Sequence, residues 1–290
     1  MQGNEEKKHN IRGHKILLAS VLCLFGFCLL AQKPVQNKQS RPQQEAKVQA
    51  PKKQQAKSKV YLIHSDMLRK DSRHPDAQVV TGNVVFRHDS VYMYCDSAYY
   101  YDKLGSFEAF SNVKMNQGDT LFLYGDRLYY DGNTQIAEVR NNVRMENRNT
   151  TLLTDSLNYD RLYNLGYFFD GGTLMDEQNV LTSEWGEYNP STKQSVFNYN
   201  VKLVNPQFTL TSDTLEYNTQ SKVAEIVGPS DILSDNNHIY SEQGTYNTAT
   251  GKAALYQRSI ITNDAKQLTG DTLFYDRNTG VGEAFSHMEM

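Results

Sequence analysis

The sequence predicts an all-β protein: an elongated stack of antiparallel strands built from about seven copies of a 29-residue unit. Three observations carry that expectation. One phrase recurs in phase, its residues alternate as a strand does, and turn formers follow it at fixed offsets. The phrase is plainest in "LTSDTLEYNTQ" (210–220) and "LTGDTLFYDRN" (268–278). Its acid returns at Asp96, Asp126, Asp155, Glu184, Asp213, Glu242 and Asp271, at intervals of 30, 29, 29, 29, 29 and 29. A half-copy begins near Asp66, 30 residues before Asp96. Self-similarity at a fixed period marks a repeat architecture.

The chain's first elements are not repetitive. "KKHNIRGHK" is basic, and "ILLASVLCLFGFCLLA" (Ile16 to Ala31) is an unbroken apolar run of 16 residues. That length suits a signal peptide or a short membrane anchor, with the positive charge before it left in the cytoplasm. Residues 1–31 are therefore expected to direct export, by cleavage or by anchorage. Residues 32–59 are rich in Gln, Lys and Pro with few apolar groups, and read as a disordered tether that cannot bury a core. Residues 1–59 hold 12 Lys and Arg against 3 Glu, a net of +9, so residues 60–290 carry −12 of the total −3. An acidic body is a poor binder of nucleic acid, whose phosphates need clustered Lys and Arg. Of three cysteines only Cys95 lies in the repeats, which leaves no intrachain disulfide or cysteine metal site there.

Each repeat, from residue 60 onward, opens with a strand. A large apolar residue stands three before the acid (Met93, Leu123, Leu152, Leu181, Leu210, Ile239, Leu268). A Tyr stands four after it (Tyr100, Tyr130, Tyr159, Tyr188, Tyr217, Tyr246, Tyr275). Asp or Asn comes directly after it (two residues on at Asp102), as in "YNPSTK" and "YDRNTG", and ends the strand by bonding its own backbone. A second apolar run returns, keyed by Phe110, Val139, Phe168, Phe197, Ile226, Leu255 and Ala284, with a third in-phase position ending at Met290. Two strands and two turns per repeat give about fourteen strands. A two-stranded unit cannot cover its own apolar face, so neighbours must stack around a long seam between two facing sheets. The acid is expected at a corner, accepting hydrogen bonds, and the Tyr at a half-buried sheet position.

The same phrase, with its break and following apolar run, resembles the OstA-like family in "LTSDTLEYNTQSKVAEI", "LTGDTLFYDRNTGVGEAF" and "YGDRLYYDGNTQIAEVRNNVRM". The resemblance spans about residues 60–290. That family comprises periplasmic lipopolysaccharide-transport proteins and the N-terminal domain of the outer-membrane assembly protein. It implies an open β-jellyroll that holds acyl chains in an apolar groove and stacks end to end with similar domains. Expected partners are then lipopolysaccharide or a similar glycolipid, other OstA-like proteins joined through open edge strands, and the inner or outer membrane. This chain is longer than the small members and richer in Tyr, with 19. The groove candidates are Leu123, Leu152, Leu181, Leu210, Ile239, Leu268, Phe168, Phe197, Ile226 and Leu255, which serve equally well as a closed core.

Other classes fit less well. An outer-membrane barrel would need a lipid-facing band free of the charges in "SKVAEIV" and at least some long loops. An exported adhesin or carbohydrate-binding module is the alternative from another class, if the tyrosines face solvent. No enzyme is expected. The acid recurs seven times without a second chemical partner, and His64, His74, His88, His238 and His287 share no repeat position and read as surface or turn residues. No cofactor or metal motif appears, since "SDNNH" (234–238) lacks the glycine and closing Glu of a calcium loop.

Overall fold

In the computed structural model, residues 58–234, 237–263 and 266–288 are described; the leader, most of the tether and Met290 lie outside them. The described residues hold 19 strands in one antiparallel sheet. Three passes of the chain are interrupted midway, as in Leu165–Phe168 with Gly172–Asp176 and Asn179–Ser183 with Trp185–Tyr188. Counting each interrupted pass once gives the predicted two strands per repeat, with further strands at either end. Pairing runs between neighbours in chain order, and the last strand, Val281–Phe285, pairs with Lys266–Asp276. This is an open meander.

The two expected sheets are halves of this one sheet, folded along a line that the 12 long strands cross. The crossing has a backbone cause. Consecutive residues with left-handed φ recur in the returning strands: Ser111–Asn112, Asn141–Asn142, Tyr199–Asn200, Gln257–Arg258 and Ser286–His287. Beside them the register slips, so that Tyr94 pairs with Lys114 but Ser97 pairs with Phe110. Such a bulge bends its strand and re-aims the side chains beyond it. Because side chains alternate with period two, the slip reverses which parity faces inward. Leu121 and Leu123 are buried before the bend in Leu121–Asp131, and Leu128 and Tyr130 after it. The odd spacing of five between the apolar residue before the acid and the one after it is the sequence form of this reversal.

The repeated acid sits at the bend, as expected. The amide of the second left-handed residue, 16 positions later, donates to it: Asn112 to Asp96 at 2.7 Å and Asn142 to Asp126 at 2.6 Å, with Asn200 making the same bond to Glu184. In later copies the partner is a basic side chain, Arg258 on Glu242 at 3.2 Å and His287 on Asp271 at 2.6 Å. Asn reaches left-handed backbone more readily than most residues, which suits it to both tasks.

Away from the bend, the Asp or Asn after each Tyr caps its turn. Asn218 Oδ1 accepts from the N–H of Gln220 and Ser221 at 2.9 and 2.8 Å, and Asn247 does the same for Ala249 and Thr250. Successive turns are also joined by backbone rungs, from Gly132, Arg161, Thr219, Thr248 and Arg277 to carbonyls one repeat earlier. Position 190 of this series is Pro, which has no N–H to give.

Between the halves the core is continuous, from Val60 and Val80 to Leu273. Gly186 makes room for it, because a Cβ there would lie 2.6 Å from Phe168 Cζ. Gly186→Ala is therefore expected to destabilise the fold by about 1–3 kcal/mol through overpacking. The readout is the urea midpoint; wild-type stability would mean that the aromatic row has slack.

Candidate functional site

The seam between the halves is the only feature that runs the length of the described strands, and each candidate residue lies in it. Leu123, Leu152, Leu181, Leu210 and Ile239 line one half, and Phe168, Phe197, Ile226 and Leu255, on the returning strands, the other; all nine are at most 1% exposed. Leu268 is only partly buried. Through its middle the seam is thus filled by side chains. Burial at this level contributes about 1.5–3 kcal/mol for each large apolar side chain. Cover thins toward the C-terminal end, where Leu268 and Ala284 are only partly buried.

Across from the bend the seam has a long mouth, bounded by two rows of hairpin turns. The repeated tyrosines stand just inside it. Tyr130, Tyr159, Tyr188, Tyr217 and Tyr246 are among the largest fully buried side chains, which leaves these rings no face on which a sugar could stack. Their hydroxyls reach across to the opposite row. Tyr217 donates to Asp176 at 2.7 Å and accepts from Asn179 at 2.9 Å, Tyr188 donates to Asn147 at 3.4 Å, and Asn237 donates to Tyr275 at 3.0 Å. Burial raises the phenol pKa along this row, to about 12 at Tyr130, so the rungs stay protonated.

Charge closes the mouth in two places. Lys222 meets buried Asp176 at 2.8 Å and Glu177 at 3.2 Å. Burial pulls the Lys222 pKa down, but its hydrogen bond to Asp176 and the two carboxylate charges outweigh that and hold it above its usual value. At the N-terminal end His88 contacts the Tyr130 hydroxyl at 2.6 Å, and the Arg161 guanidinium donates to the same oxygen. His88 was expected at a surface or turn; it is wholly buried, as the first member of the series of strand ends that continues at Gln117, Asn147 and Asp176. Burial, then the Arg161 charge, push its pKa down. His64, His238 and His287 sit exposed beside Asp66, Asp231 and Asp271.

Sequence reasoning missed the polar side of the mouth, since its partners come from copies about one and a half repeats apart. The signal was there: Asn147, Asp176 and Asn205 stand 29 residues apart at the turns facing the tyrosines. Among the described residues no cluster of three His, Cys, Asp or Glu could hold a metal.

The OstA-like protein family model matches residues 57–213 and 209–271. No curated protein matches. Among solved structures, one similar chain is LptH, the LptA-homologous periplasmic component of the conserved lipopolysaccharide transport device from Pseudomonas aeruginosa. It is 16% identical, with a TM-score of 0.36, over 38% of this chain and 85% of that one.

Two outcomes are expected from the mouth. Asp176→Asn removes the charge buried against Lys222 and lowers stability by about 3 kcal/mol in chemical denaturation. Neutral, buried His88 binds fewer protons than the unfolded chain, so it contributes stability that is lost as pH falls from 6.5 toward its lowered native value. His88→Gln flattens the pH dependence of the melting temperature in that window; an unchanged profile assigns the dependence to other groups.

Proposed function

This chain belongs to the OstA-like protein family, and from that premise we propose that it is a periplasmic scaffold of lipopolysaccharide transport, binding the glycolipid by its acyl chains. The observation that carries the reading is the continuous apolar seam, lined from one end to the other by in-phase side chains and least covered at its C-terminal end. Acyl chains enter there, beside Leu268, and part the halves at Leu255, Ile239, Ile226, Leu210 and Phe197. The remaining candidates, Leu181, Phe168, Leu152 and Leu123, continue the path. Each CH₂ moved from water into the seam contributes about 0.8 kcal/mol, which offsets lost contact between the halves. The halves share one backbone at the bend, so they open by a change of angle there and keep their strand pairing.

Both ends of the stack support end-to-end assembly with similar domains. Tyr61, Ile63, Met67 and Leu68 are exposed on the first strands, and Val281, Phe285 and Met288 at the other end. Edge strands with unpaired backbone groups and apolar side chains accept an added strand. Residues 1–31 export the chain or hold it at the inner membrane, with residues 32–59 as the spacer.

A photo-crosslinking amino acid at Leu268, Phe197 and Asn198 in cells tests the reading. Lipopolysaccharide adducts are expected at 268 and 197 and not at 198, whose side chain has the opposite strand parity. Adducts at none of the three mean that the seam is a closed core and the chain an exported scaffold without lipid.

A further inference from the structure

Among the described residues, one rung of the mouth carries cations with no carboxylate partner. Along the ladder, Asn147, Arg148 and Lys193 stand 29 residues before Asp176, Glu177 and Lys222. The backbones correspond: φ is 56° at both Arg148 and Glu177, and 67° and 61° at the two lysines. At the later rung Lys222 is neutralised by two carboxylates. At the earlier rung the lysine is kept, but the buried aspartate is replaced by Asn147 and the glutamate by an arginine. The Lys193 amine bonds Asn147 Oδ1 instead. A rung with a net charge of −1 thus becomes one of +2 on the same framework, in a body whose overall charge is −12.

Space is available beside these cations. Two clefts, of about 430 and 290 Å³, share Asn147, Arg148 and Lys193 in their linings. The smaller also reaches Leu121, at the outer margin of the apolar seam. Burial first, and the Arg148 charge second, lower the Lys193 pKa, the penalty expected of neighbouring cations without a counter-charge.

We infer that Arg148, Lys193 and Asn147 form an anion site for a phosphate monoester on the headgroup of an amphipathic glycolipid, held at the mouth while its acyl chains lie in the seam. Arg148 supplies a planar fork of donors and Lys193 a compact ammonium, which Asn147 Oδ1 positions while its amide N–H donates to the Thr120 carbonyl at 3.2 Å. A phosphate monoester carries −1.5 to −2 near neutral pH, which matches the +2 of the rung. The lipid source rests on the function proposed above; the anion site does not.

The test uses the exported chain and the double variant Asn147→Asp with Arg148→Glu. That variant rewrites the rung as its neighbour, whose geometry already folds. Binding is measured for a bis-phosphorylated lipid A, for its dephosphorylated form and for inorganic phosphate, with protection of Lys193 from amine acylation as a second readout. The wild type is expected to bind phosphorylated lipid at least about tenfold more tightly than the variant, with the two proteins equal toward the dephosphorylated form. Protection of Lys193 by phosphorylated lipid alone supports a headgroup source. Equal affinity of wild type and variant for the phosphorylated lipid overturns the site. If neither lipid binds the wild type, the lipid function falls, and inorganic phosphate decides the rest: protection in the wild type alone upholds an anion site, and protection in neither overturns it.

Discussion

The structure depends on a bend placed inside its strands. In one strand of most repeats two consecutive residues take left-handed backbone, and the chain passes from one half of the slab to the other without ending the strand. A straight strand of this length would show each of its faces to one environment along its whole run. The slip at the bend reverses parity, so both halves turn their apolar residues toward each other. A single meander thereby makes a two-layered core that needs no crossover and no second sheet. An amide 16 residues later at three copies, and Arg258 or His287 at two more, bond the acid at the bend, which gives the recurring acid a structural task rather than a catalytic one.

Closing the opposite side is a different problem, because there the halves end in turns rather than in continuous chain. The tyrosines meet it with one side chain each. The ring fills the seam and the hydroxyl spans to the facing row. An aliphatic residue would supply only the first contact and leave the polar turn groups without partners at the margin of the core. The mouth is consequently a polar line over an apolar interior, and its composition varies from rung to rung while the interior hardly varies at all.

Much of this was legible in the sequence, and what was not has a physical reason. The period, the strand pairs and the capping role of Asn218 and Asn247 depend on neighbours a few residues apart, which a linear reading sees. The bend was legible in the spacing of five between Leu123 and Leu128, but only once parity is tracked through the acid. The in-phase series located the residues of the seam, because alternation reports direction. How tightly they pack is set by facing residues about forty positions away, such as Tyr217 and Asp176, and no local pattern encodes that distance. His88 was misplaced for the same reason, since its burial comes from Tyr130 and Arg161 on the other half.

Proline at position 190 has a mechanical consequence. In a stack of near-identical units, stability is a chain of nearest-neighbour couplings, and the whole unfolds together only while every coupling is strong. The turn of Pro190 forgoes the backbone rung that its counterparts at 161 and 219 make, and keeps the side-chain link from Asn189 to Tyr163 at 3.1 Å. One coupling in the series is therefore weaker than those on either side. A pull along the stack, or heat, finds its first joint there, and the repeats before and after it behave as two cooperative blocks that share a sheet.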